Sequence, residues 1–171
     1  MSAAGLAHIP VGVVVERRKA KSQWIDFVWQ PVAVLAGRPD AAPWTVLASE
    51  GGTTTFYAGS AQIALHRSET SNYRDNLASG SPSVWVALRP REAEPPYDIV
   101  MVTVDASEGE AFTETGTDLV AAVPMPDVIR DTVAAFVAEH HVERAFVKRK
   151  RDRADPEALA RRAGRREGEQ E

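Results

Sequence analysis

Residues 83–89 place the tightest limit on the fold. Val84, Val86 and Leu88 alternate with Trp85, Ala87 and Arg89. A period of two puts the three aliphatic side chains on one face of a β-strand. Residues 9–18 repeat the signature with Val11, Val13 and Val15, residues 31–36 read PVAVLA, and residues 97–104 are almost continuously apolar. The last pattern predicts a strand buried on both faces. Further strands are predicted over 44–48, 53–58, 62–67 and 118–123, with 44–48 and 53–58 forming a hairpin across Glu50-Gly51-Gly52.

Helical signals are fewer. Residues 69–78 carry Tyr73 and Leu77 at i, i+4 and read as a short helix or a long loop. Residues 107–115 suggest a short helix with Ala111 and Phe112 facing in. After Pro124-Met125-Pro126, the residues Ile129, Val133, Phe136, Val137 and His140 recur at 3–4 spacing. They predict the best helix of the chain, with Asp127 as its N-cap and its end near His141. Strands followed by strand–helix–strand–helix predict an α+β fold. The expected architecture is a mostly antiparallel sheet or small open β-barrel, with a covering C-terminal helix and a charged tail.

With 171 residues, one domain is expected: a flexible leader over 1–8, the α+β domain over 9–143, and a charged, partly disordered tail over 144–171. Residues 144–171 hold ten Lys/Arg against six Asp/Glu, whereas residues 1–143 hold ten against eighteen. An acidic body with a basic arm suits a protein held by another molecule. There is no cysteine, which excludes a disulfide framework, a thiolate nucleophile and Cys-type metal sites. No stretch approaches the ~20 apolar residues of a membrane span. Residues 3–15 precede their basic group instead of following one, the wrong order for a secretory signal. A cytoplasmic location is expected.

No catalytic signature emerges. The densest polar group is His66, Arg67, Ser68, Glu69 and Thr70, followed by Tyr73 and Arg74. It lacks a nucleophile elbow and reads as a strand-end hydrogen-bond network or as a site. Adjacent His140 and His141 point about 100° apart on a helix and do not share a metal easily; no metal or cofactor is assigned. Trp85 has two readings, either exposed beside Arg89 as an interface anchor or covered by the last helix as core. In the tail, Lys148, Arg149, Lys150 and Arg151 offer charge to a partner. The lone aromatic Phe146 and the acidic body argue against nucleic acid.

Several segments resemble a proteobacterial family of unknown function. They are Ile9–Lys19, Trp24-x4-Trp29 running on through Pro31 to Leu35, Leu65-His-Arg-x-Glu-Thr70 with Tyr73-Arg74, Pro82–Val86 with Leu88-Arg-Pro90, Pro124-Met-Pro126, and Phe146–Arg151. The resemblance covers about residues 9–155. Members are typically encoded beside formate dehydrogenase genes and maturation factors for molybdenum enzymes. The resemblance therefore implies an accessory role in assembling a molybdenum-dependent formate dehydrogenase, and it implies no active residues.

Two functions are expected from these readings. The first is a non-enzymatic accessory protein that binds a formate dehydrogenase subunit or maturation factor. There Arg17, Arg18 and Lys148–Arg151 provide charge complementarity, and Tyr73, Trp85 and Arg89 serve as anchors. The second is a small-ligand or enzymatic barrel for a molybdopterin-type cofactor. His66, Arg67, Glu69, Tyr73, Arg74 and Arg89 would line its pocket, with the arginines holding phosphate.

Overall fold

The computed structural model describes residues 6–142. Seven strands and three helices follow in the order β1 (Leu6–Lys19), β2 (Phe27–Ala36), β3 (Thr45–Glu50), β4 (Thr53–His66), α1 (Thr70–Ala78), β5 (Ser83–Pro90), β6 (Tyr97–Thr103), α2 (Ala106–Thr113), β7 (Leu119–Pro124) and α3 (Asp127–His140). A single 3-10 turn, Arg67–Glu69, joins β4 to α1. The strands form two antiparallel sheets, β2-β1-β4-β3 and β6-β5-β7. β7 runs beside β2 and β6 beside β4, but no ladder joins the sheets, so the fold is α+β without a closed barrel.

The core lies where the alternation puts it. Val11, Val13 and Val15 of β1 meet Val84, Val86 and Leu88 of β5, and Ile129, Val133, Phe136 and Val137 of α3 join the same cluster. Each fully buried aliphatic side chain of this kind contributes about 1.5–3 kcal/mol. On the other side of the first sheet, Pro39 packs over Gly12, where a Cβ would lie 2.8 Å from the Tyr57 ring. Val14 and Tyr57 are buried there.

Five details differ from the sequence reading. Residues 6–8 belong to β1, paired with 64–66 of β4, instead of preceding the domain. The segments 53–58 and 62–67 form one strand, because Gly59 at φ +139° lets the chain bend without breaking. The register shifts beside it, between Val13 and Val14 of β1. In α2 the residue facing the sheet is Gly109, while Ala111 is exposed and Phe112 half-buried. Asp127 is the first residue of α3, whose N-cap is Pro126. β6 is buried only in its second half, from Met101.

Candidate functional site

The fold sends the sequence candidates to opposite ends of the first sheet. Along β1, Leu6 pairs with His66 and Arg17 pairs with Thr54. Eleven residues of extended chain separate those positions, about 36 Å.

The His66 end is a tied polar network. Tyr73 is 1% exposed, and its hydroxyl accepts the His66 backbone N–H at 2.9 Å. It is therefore a core residue, not a surface anchor. Burial raises its pKa above the ordinary 10.0, and the nearby carboxylates of Asp105, Glu69 and Glu108 push the same way, against the hydrogen bond from His66. Asn72 Nδ2 donates to Glu69 Oε2 at 3.2 Å and to both Asp105 oxygens at 3.2 and 3.3 Å. Asp105 also caps α2 by accepting the Ser107 N–H at 2.9 Å.

Arg74 Nη1 lies 3.1 Å from His141 Nε2. A guanidinium only donates, so Nε2 accepts. Nδ1 then carries the hydrogen toward Thr70 Oγ1 at 3.1 Å, and Thr70 donates on to the Arg67 carbonyl at 3.4 Å. These contacts tie the end of α3 to α1.

A groove of about 200 Å³ opens beside this network, between β4 and β6. His66, Gln62, Thr103 and Glu108 supply its polar wall. Of the residues expected to line a phosphate-holding pocket, His66 lines this groove, whereas the three arginines do not. Arg67 and Arg74 are exposed on the turn and helix above. Arg89 sits at the far end of β5, six residues or about 20 Å from Ser83, which α1 holds. There Arg89 makes a two-pronged pair with Asp118, Nε to Oδ1 and Nη2 to Oδ2 both at 2.9 Å. The Arg89 hydrogen bonds hold the Asp118 carboxyl below its usual range. The local field from Glu69, Asp105 and Glu108 disfavours an anion such as a phosphate. Among the described residues no group of His, Asp and Glu could hold a metal ion.

Trp85 is half-buried beneath α2. A Cβ on Gly109 would fall 2.4 Å from the indole, so the helix rests directly on the ring. The cover is α2, not the last helix, and Trp85 does not stand free beside Arg89. Lys148–Arg151 lie outside the described residues.

The Arg17 end differs in kind. Arg17 shares the face of Val13 and Val15 and pairs with Trp29 of β2. Its guanidinium lies 4.5 Å from the Phe27 ring centre, 5.2 Å from Phe56 and 5.6 Å from Trp29. Such contacts contribute ~0.5–1 kcal/mol each at partly exposed sites. Trp29 stacks on Phe56 at 5.7 Å and meets Trp44 and Tyr97 at 6.1 and 5.7 Å. Trp44 has φ +66°, a left-handed conformation that costs roughly 1–2 kcal/mol for a bulky L-residue; the ring contacts offset it. Arg18 points elsewhere, pairing with Glu16 at 2.9 Å. In the loop that precedes Phe27, Trp24 is 86% and Ile25 57% exposed.

Sequence reasoning singled out Arg17 but missed its aromatic frame, which comes from β2, β4, β6 and the loop before β3. A usable signal was present: Arg17 continues the Val11-Val13-Val15 parity, so it lies on an apolar face. The polar partners Asn72, Asp105 and Glu108 were missed because they meet only through α1 and α2.

Residues 10–150 match the family described as "Protein of unknown function (DUF3305)". The chain belongs to this family. All the candidate residues but Arg151 fall within the span matched to DUF3305. No curated protein and no solved structure matches the chain. Among the described residues no helix is long and apolar enough to cross a membrane.

Proposed function

We propose that the protein is a non-enzymatic accessory protein that works by binding another protein. The observation that carries this reading is the apolar surface at the Arg17 end. Trp24, Ile25, Phe27 and Val28 are exposed in succession, and Val46 and Leu47 are 55% and 50% exposed on β3. β3 is an edge strand with all six residues in solvent. Large apolar side chains left in solvent in such numbers mark interaction surfaces, and a free edge can accept a strand from a partner. The choice of partner, a formate dehydrogenase subunit or maturation factor, rests on the resemblance alone. The basic run Lys148–Arg151 supports an acidic partner through charge.

The test is affinity purification of the tagged full-length chain from its native host, beside a version lacking residues 146–171. A stoichiometric formate dehydrogenase subunit or maturation factor is expected with the full chain. Its loss is expected with the shortened chain, whose thermal unfolding stays unchanged. A full-length protein that brings down no stoichiometric partner refutes the reading.

A further inference from the structure

We infer that the Arg17 end of the first sheet is the docking seat for an acidic peptide segment of the partner. A Glu or Asp carboxylate sits on the Arg17 guanidinium, and the apolar neighbours of that residue lie against Phe27, Trp24 and Ile25. The inference rests on the protein-binding reading above and adds to it a face and a ligand chemistry.

Three observations converge. First, the guanidinium is held but not neutralised. Three rings lie within 5.6 Å of it, yet among the described residues no carboxylate lies within ion-pair distance of Arg17. Rings stack on the faces of a guanidinium and leave its N–H edge for an acceptor. A fixed fork of donors matches a carboxylate in two-pronged geometry. The Arg89–Asp118 pair shows the same match satisfied inside the chain.

Second, the charge is concentrated. Arg17, Arg18, Lys19 and Lys21 are four of the ten basic residues in positions 1–143, where Asp and Glu number eighteen. An acidic segment is attracted to this end and repelled from the rest of the body. Third, the exposed apolar side chains lie in the loop that directly follows these cations, with Trp24 86% exposed. A buried Trp beside an Arg is the usual composition of an interface hot spot.

Single-stranded nucleic acid also favours cations and rings. Here the rings are turned on one another: Trp29 and Phe56 lie 22° from parallel, and Arg17 covers both. Bases therefore have few open faces to stack on.

The experiment selects a displayed library of random 12-residue peptides on the full-length protein. The recovered peptides are synthesised and titrated by fluorescence anisotropy. Peptides with an Asp or Glu flanked by aromatic or aliphatic residues are expected. Their Kd should rise at least tenfold with Arg17→Gln, with Trp24→Ala, or when the peptide's acid becomes an amide. Arg17→Lys should fall between, because it keeps the charge without the planar fork. Thermal unfolding shows that the variants fold, and Trp24 is too exposed for its loss to unfold the sheet.

Recovered peptides without acids, equal affinity for Arg17→Gln, or tighter binding of a (dT)12 oligonucleotide overturns the inference. The partner purification separates the two levels. If Arg17→Gln retains the host partner at wild-type level, protein binding stands and this seat falls. If the wild type retains none, the reading beneath it falls.

Discussion

Asn76 shows how one buried side chain can tie the start of β5 to the end of β6. Its Nδ2 donates to the Ser83 carbonyl at 2.8 Å and the Val104 carbonyl at 3.0 Å, and its Oδ1 accepts the Ser83 N–H at 3.0 Å. Asn76→Ala leaves those backbone groups unpaired, each costing roughly 1–3 kcal/mol. A loss of at least ~3 kcal/mol is expected in denaturant unfolding. Tyr73 makes a different prediction. Its pKa is raised, chiefly by burial, so the folded state keeps the phenol proton longer than the unfolded chain does. Stability from this group is complete below about pH 10 and falls as pH climbs through the folded value. Melting curves at pH 9 and 11 should show a smaller alkaline loss for Tyr73→Phe than for wild type. At pH 9 that variant should be weaker by ~1 kcal/mol, since the His66 N–H loses its partner. Neither role was legible in the sequence. Asn76 looks like an ordinary polar helix residue, and Tyr73 looks like an anchor, because nothing local says which way an isolated short helix turns.

Among the elements, α2 has the closest fit. Gly109 lies against the Trp85 ring, so Gly109→Ala should destabilise the protein despite the ~1 kcal/mol that helix propensity favours for alanine. Overpacking of this kind costs about 1–3 kcal/mol. Chemical denaturation should show a lower midpoint, and near-ultraviolet dichroism a changed Trp85 signal. The Arg89–Asp118 pair links β5 to the start of β7. Because the Asp118 pKa is lowered, its contribution is present above the unfolded carboxyl range and fades as pH falls through the folded value. Asp118→Asn should flatten the acid limb of a stability profile below about pH 4.

At this scale the sequence is readable where period and burial agree. β5 and the buried face of α3 appear as read, since Val84, Val86, Leu88, Ile129, Val133, Phe136 and Val137 all point inward. It misleads at glycines. The strands read over 53–58 and 62–67 are one strand bent at Gly59, and the inward residue of α2 is Gly109 instead of Ala111 and Phe112.

Across the whole molecule, the two ends of the first sheet divide the chemistry. The His66 end pairs most of its polar groups internally, whereas the Arg17 end leaves a cation without an ion pair among half-buried rings. Partner retention should therefore weaken as ionic strength rises, because exposed charges are screened within about 10 Å at 0.1 M salt. Salt-independent retention would place the affinity in apolar contacts alone. This division was hidden from sequence reading because its rings are brought together from positions 27 to 97 by strand pairing.

The pairing of β1 with β4 also orders events at the ribosome. Val11, Val13 and Val15 emerge early, but their inner neighbours in the first sheet lie between Phe56 and Ala61. At synthesis rates of roughly 5–20 residues per second, the wait is on the order of a few seconds. During that interval the β2 hairpin can shield one edge of β1 but not its apolar face. The apolar face of this valine ladder then stays open until β5, which brings Val84, Val86 and Leu88 against it, has cleared the exit tunnel.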